Sequence, residues 1–133
     1  MSDKEALWIL AQTIFGEARG EPLLGQYAVG HVVLNRASDP RWGRSIAAVC
    51  LQRYQFSCWL AEDPNRARLD HVSLQDPAFV QCLQVALAIL SGAHADQTQG
   101  ATHYHTTAVR PAWAREHTPC YTIGHHVFYN DVP

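Results

Sequence analysis

Between Asp76 and Gly92 apolar side chains recur at helical spacing: Phe79, Val80, Leu83, Ala86, Leu87 and Leu90 follow an N-cap Asp and a Pro at the first helical position. A helix with such a stripe gains its stability from burying that face, so the chain must supply partners for it. Two more stripes answer that need. Leu7, Leu10, Ala11, Ile14 and Phe15 follow Ser2-Asp3-Lys4-Glu5, which has the S-x-x-E spacing of a capping box. This first helix is expected to stop near Gly20 and Pro22, because Gly favours the position after a helix end and Pro pushes Glu21 out of the α region. Glu17 then falls in or just after its last turn. Leu24, Ala28, Val29, Val32 and Val33 predict a second helix over residues 24–36.

The remaining segments are shorter. Residues 37–43 carry loop chemistry, and Ser45 can cap a short helix through Ile46, Ala47 and Val49. Residues 54–59 read as an aromatic loop or short strand. Residues 61–72 are polar, charged and without period, so they read as a surface loop with room for a helical turn. Residues 102–106 and 121–129 are rich in Thr, Tyr, Ile, Val and Phe and are expected to pair as a hairpin closed by a long loop over residues 108–119. The expected fold is α+β: mainly helical, with a small antiparallel sheet in the C-terminal third, as one domain over residues 1–133.

Composition narrows the function. Apolar residues at 47% and charged residues at 17% exclude intrinsic disorder. A net charge of −2 lacks the cationic excess of a general nucleic-acid binder. The longest apolar runs, residues 6–11 and 85–90, are far short of the ~20 residues needed to cross a bilayer, so no membrane insertion is expected. The N-terminal residues lack the basic region and small-residue cleavage site of a signal peptide. Cys50, Cys58, Cys82 and Cys120 form no C-x-x-C pair and read as buried free thiols.

Gly16-Glu17-Ala18-Arg19-Gly20-Glu21 places two carboxylates and an arginine around a helix end, where backbone carbonyls oppose ionisation. Apolar Ile14 and Phe15 would add desolvation in the same direction, whereas Arg19 in contact would act against it. A carboxylic acid with a raised pKa suits delivery of a proton to the leaving oxygen of a glycosidic bond near neutral pH. From spacing alone, Glu17 and Glu21 read first as solvated residues ending an amphipathic helix.

The ordered segments Gly16-Glu17-Ala18-Arg19-Gly20-Glu21, Gly25-Gln26-x-Ala28-Val29-x-x-Val32-Val33-Leu34-Asn35-Arg36, Gln55-Phe56-Ser57, Gly92, Gly100-Ala101-Thr102-x-Tyr104, Trp113 and Ile123-Gly124-x-His126-x-Phe128-Tyr129 resemble the SleB-type cell wall hydrolases, the family of spore-cortex lytic enzymes and related phage endolysin-like domains. The resemblance implies a lysozyme-like fold and cleavage of the N-acetylmuramic acid to N-acetylglucosamine linkage of peptidoglycan. It places the essential acid on Glu17, acting as in a lytic transglycosylase or a muramidase, with no cofactor and no metal. It also implies that Ser57, Thr102, Tyr104 and His126 line the cleft and hydrogen-bond substrate or Glu17. The chain departs from the family habit at His103, His105, Thr106 and His125, and at Trp42-Gly43, where a Phe-Pro pair is common.

Two rival functions remain open at this level. His103, His105, His125 and His126 could bring three imidazoles together on paired strands, which would suit a zinc-dependent peptidoglycan amidase. Trp42, Trp59 and Trp113 could stack on sugars in a non-catalytic glycan-binding module. Asn35 and Arg36 near the end of the second helix are expected to cap it and tie the motif loop, a structural role in place of substrate contact. The expected partner is the glycan strand of peptidoglycan, with no nucleic acid. The chain is expected to be a monomer made in the cytoplasm, the host's if phage-encoded, and to act on the wall after release.

Overall fold

The computed structural model describes residues 3–52 and 55–133, so Ser2 of the capping box and Tyr54 of the aromatic segment lie outside the described residues. Asp76 caps α5 (Pro77–Leu90) by accepting from the Ala78 N–H, and Gly92, with φ +80°, turns the chain out of the helix. Its buried face is Phe79, Cys82, Val85, Ala86 and Ile89, while Leu87 and Leu90 face outward. The face expected from periodicity is therefore rotated. Apolar residues occur on nearly every side of α5, and only the packing of α1 (Asp3–Ala18) and α2 (Leu23–Ala37) against it selects which are covered.

Leu10, Ala11, Ile14 and Phe15 of α1 are buried as expected, and the Phe79 ring meets Trp8 and Phe15 edge-on at centroid distances of 4.9 and 5.9 Å. Ser45 caps α3 (Ile46–Leu51) through the Ala48 N–H, also as expected. A 3-10 turn over Ser57–Trp59 follows. Residues 61–72 are not a loop: they contain α4 (Pro64–Asp70), capped by Asp63 with Pro at the first helical position. The helix forms despite its polar surface because a single residue, Leu69, is fully buried in the core, and Gln12 of α1 binds the Leu69 carbonyl at 2.8 Å.

The sheet also differs from expectation. Residues 121–129 are themselves a tight hairpin, β2 (Tyr121–Ile123) and β3 (His126–Tyr129), and β1 (His103–Thr106) adds to the far side of β3. The order is β1-β3-β2, all antiparallel, with Tyr104 opposite Phe128 and Thr106 opposite His126. Gly124 at φ +56° permits the tight turn that a long-looped hairpin would not need. Ala18, Ala28, Val29, Val32, Ala101 and Phe128 form a second apolar cluster, with Tyr104 packed on it. This cluster holds the sheet against the end of α1 and thereby brings β1 to Glu17.

Cys50, Cys58 and Cys82 are buried free thiols as expected, whereas Cys120, also a free thiol, is partly exposed on the sheet side. Among the described residues no helix is long and apolar enough to cross a membrane.

Candidate active site

Glu17 lies in the last turn of α1, half-buried where the helix meets the sheet. The Tyr104 hydroxyl donates to Glu17 Oε1 at 2.6 Å. Burial dominates the carboxyl's environment and raises its pKa; the Tyr104 hydrogen bond and those from the Cys58 thiol and backbone favour the ionised form but do not reverse the shift, and the Asp63 charge adds to it. Tyr104 is pushed well above the usual phenol range by burial and by the facing Glu17, so it remains a donor. Arg19 does not act on this carboxyl as the sequence had left possible: its guanidinium turns away to the Phe15 carbonyl at 3.2 Å and to Asn65 Oδ1 at 2.8 Å.

The Cys58 turn reaches Glu17 because residue 16 has no side chain. A Cβ on Gly16 would stand 2.7 Å from both Cβ and Sγ of Cys58 and 3.2 Å from Leu69 Cδ2. Gly16→Ala would gain up to ~1 kcal/mol of helix propensity but force an overpacking cost of about 1–3 kcal/mol onto two buried neighbours. The variant is expected to melt several degrees lower and to lose activity as Cys58 is driven off the carboxylate; an unchanged melting temperature would contradict this packing.

Behind the acid, Arg36 of α2 is buried and holds two loops at once. Its Nε donates to the Thr102 carbonyl at 2.7 Å and its Nη1 to Gln55 Oε1 at 3.0 Å, with the guanidinium 5.1 Å from the Trp42 ring centroid and 5.2 Å from that of Phe56. Asn35 donates to Asp96 Oδ2 and to the Ala101 carbonyl, each at 2.9 Å. Asp96 in turn accepts from the Thr98 N–H and hydroxyl and from the Gly100 N–H. The structural role expected of Asn35-Arg36 therefore takes a different form: in place of capping α2 and tying the motif loop, their side chains bond to residues 96–102, which lead into the strand that bears Tyr104, and to Gln55.

The other residues expected at the site are not all alike. Ser57 is exposed at the start of the 3-10 turn next to Cys58. Thr102 is buried, its hydroxyl 2.9 Å from His103 Nδ1. His126 is buried against the Tyr104 ring at 4.9 Å and so does not line an open surface. Glu21 folds back to the hairpin, accepting from the His125 N–H at 2.7 Å and lying 2.9 Å from His125 Nδ1. Cys58 and Asp63 were missed as neighbours of Glu17; the Gly before the Glu and the Asp63-Pro64 cap were their only sequence signals.

The four histidines do not converge. His103 and His105 sit on one face of the sheet with Trp113, at 5.3 and 5.8 Å, while His126 is on the other face and His125 is at the turn. Among the described residues no group of three or more His, Cys, Asp or Glu is placed to hold a metal ion. Burial, with the Arg36, Arg41 and His117 charges, lowers His103 to about 4 and keeps it neutral near pH 7. Trp59 is tied by its indole N–H to Thr13 Oγ1 at 2.9 Å, and Trp42 by its own to Gln55 Oε1 at 3.1 Å under the Arg36 and Arg41 guanidiniums.

The chain is similar to known proteins in both fold and sequence. The chain superposes on the catalytic domain of the Bacillus cereus SleB protein with a TM-score of 0.74, at 22% identity over 97% of this chain and 92% of the other. It superposes on the SleB catalytic domain from Bacillus anthracis with a TM-score of 0.76, at 23% identity and 96% of each chain. These likenesses establish the lysozyme-like fold. The spore cortex-lytic enzyme of Halalkalibacterium halodurans is 30% identical over 131 residues, which is 92% of this chain and 34% of the relative. That of Bacillus subtilis is 45% identical over 78 residues, 53% of this chain and 26% of the relative. The chain therefore spans about a third of the length of the first of these curated relatives and less of the second. A family model described as Cell Wall Hydrolase matches residues 20–129, beginning just after Glu17 and running through Tyr129. On that match, the chain belongs to the cell wall hydrolase family.

Proposed function

We propose that this chain cleaves the N-acetylmuramic acid to N-acetylglucosamine linkage of peptidoglycan glycan strands as a lytic transglycosylase, with Glu17 as its one acid and base. The observation that carries this reading is the Glu17 carboxyl, buried at a helix end, raised in pKa and fixed by a hydroxyl donor that itself stays protonated. Family membership and similarity to spore cortex-lytic enzymes support the substrate class, and one similar structure is described as a germination-specific lytic transglycosylase.

In this mechanism the protonated Glu17 gives its proton to the glycosidic oxygen as the C1–O bond breaks. The resulting carboxylate then takes the proton of the muramic 6-hydroxyl, whose oxygen closes on C1 to give a 1,6-anhydro end. Glu17 is left protonated for the next turnover and no water is consumed. Hydrolysis with a second carboxylate would need that group free to activate water, at a separation of about 5–10 Å. Glu21 is held by His125, and Asp63, whose charge reaches Glu17, caps α4 through the Asn65 N–H. These commitments favour the substrate's own hydroxyl.

Mass spectrometry of the fragments released from purified peptidoglycan tests the reading. Anhydro-muramic ends are expected. Muramic ends that have gained water would make the chain a muramidase, release of intact stem peptides would make it an amidase, and binding without any fragment would reduce it to a glycan-binding module.

A further inference from the structure

Glu21 stands four residues beyond Glu17, yet its carboxylate is spent on a segment more than a hundred residues away in the chain. Its side chain is only 9% exposed. Oε1 accepts the His125 N–H at 2.7 Å, Oε2 lies 2.9 Å from His125 Nδ1, and Oε1 lies 3.7 Å from His126 Nδ1. The fit is tight: a Cβ on Gly124 would stand 2.6 Å from Glu21 Oε1 and 2.9 Å from Pro22 Cδ. His126 is buried with no hydrogen-bond partner at Nδ1, and the other side of its environment is the Tyr104 ring, edge-on at 4.9 Å. Tyr104 then donates to Glu17 at 2.6 Å. Carboxylate, imidazole, phenol and carboxyl thus form one continuous chain of contacts between the two glutamates of the same motif.

We propose that Glu21 and His126 are positioning residues for the reaction: Glu21 clamps the β2–β3 turn to the loop that follows Glu17, and His126 carries that clamp to the Tyr104 ring, which sets the phenol on Glu17. The inference rests on the reading of Glu17 as the proton donor. It explains why the hairpin turn is anchored by a carboxylate in place of bare apolar packing: a hydrogen bond of fixed length needs its donor strand held from behind, and the sheet has only strands of three and four residues to do so. Burial opposes ionisation of Glu21, but the hydrogen bonds and ionic contacts from His125 and His126 hold it below the usual glutamate range, so between that point and the raised pKa of Glu17 the clamp is charged while Glu17 still carries its proton.

The test reads the alkaline limb of the pH–rate profile, where activity falls as Glu17 ionises. The groups that face Glu17 are Tyr104 from β1, Cys58 from the 3-10 turn and Asp63 from the α4 cap, and Glu17 also acts on Arg36 of α2. Of these only Tyr104 is set by the clamp. Losing its hydrogen bond to the ionised carboxylate raises the Glu17 pKa, so the limb moves to higher pH. Tyr104→Phe is expected to move it by about half a pH unit, and Glu21→Ala to move it in the same direction with about a tenfold loss in maximal rate. In the Tyr104→Phe background Glu21→Ala is expected to add no further displacement of the limb. Glu21→Gln keeps an acceptor for the His125 N–H and is expected to retain the original limb.

If Glu21→Ala lowers the melting temperature but leaves the limb in place, or displaces it again on top of Tyr104→Phe, the inference is wrong. Should Glu21→Ala not fold, Gly124→Ala, at an exposed turn, evicts the carboxylate without removing it and is expected to displace the limb likewise; an unmoved limb there is equally fatal. Full activity in Glu17→Gln would instead overturn the reading of the acid, independently of any result at Glu21.

Discussion

Glu17→Gln is expected to lower the rate of glycan cleavage about 10³-fold while leaving the fold intact. The amide keeps the shape of the side chain and can still accept from Tyr104, but it has no proton to give and cannot take one from the 6-hydroxyl. Its stability should change in a pH-dependent way with a definite sign. The folded pKa of Glu17 lies above the unfolded one, so the folded state holds more protons between the two values and wild-type stability falls as pH rises through that window. Glutamine does not titrate. The variant should match the wild type below the ordinary glutamate range and melt a few degrees higher at pH 8. Thermal melts at the two pH values check this, and an equal difference at both would mean that the carboxyl is not held unfavourably when ionised.

The largest loss of stability is expected at Arg36. Arg36→Ala removes charge-assisted hydrogen bonds to Thr102 and Gln55 and a planar group packed near Trp42 and Phe56, and leaves buried acceptors unpaired. Two such bonds and the cavity together cost about 3–5 kcal/mol, or roughly 10 °C or more in melting temperature for a domain of this size. Because Thr102 leads directly into β1, any folded fraction should also hold Tyr104 poorly. A melting temperature within 2–3 °C of wild type would mean that the loops are held by other contacts.

Local chemistry made the helices readable. Asp76-Pro77, Ser45 and the Gly20-Pro22 stop each act within a few residues, and each sits where its backbone preference placed it. Asp63-Pro64 carries the same signal as Asp76-Pro77, but the polar residues after it hid a helix whose one core contact is Leu69. The face of α5 was not readable, because a helix apolar all round takes its orientation from its neighbours. Strand order was not readable either: residues 121–129 read as one strand, whereas the Gly124 turn divides them into β2 and β3, and it is β3 that pairs with β1.

The motif order singled out Glu17 and Tyr104, and the fold brings the two into hydrogen-bond contact. The surroundings that the fold gives Glu17 were not readable. Cys58 fills the space left by Gly16 and Glu21 grips His125, contacts between residues 42 and 104 positions apart. Spacing alone also left Glu21 open as a solvated residue, whereas the folded chain turns it into the sheet.

The protonation of Glu17 can be observed without substrate. In a carbon-detected NMR titration of the glutamate carboxyls, with the Glu17 resonance assigned by its absence from Glu17→Gln, that carboxyl is predicted to titrate above the ordinary glutamate value of 4.5 and to move higher still in Tyr104→Phe. A Glu17 resonance that titrates at or below that value, in a folded protein that still cleaves glycan, would contradict its role as the proton donor.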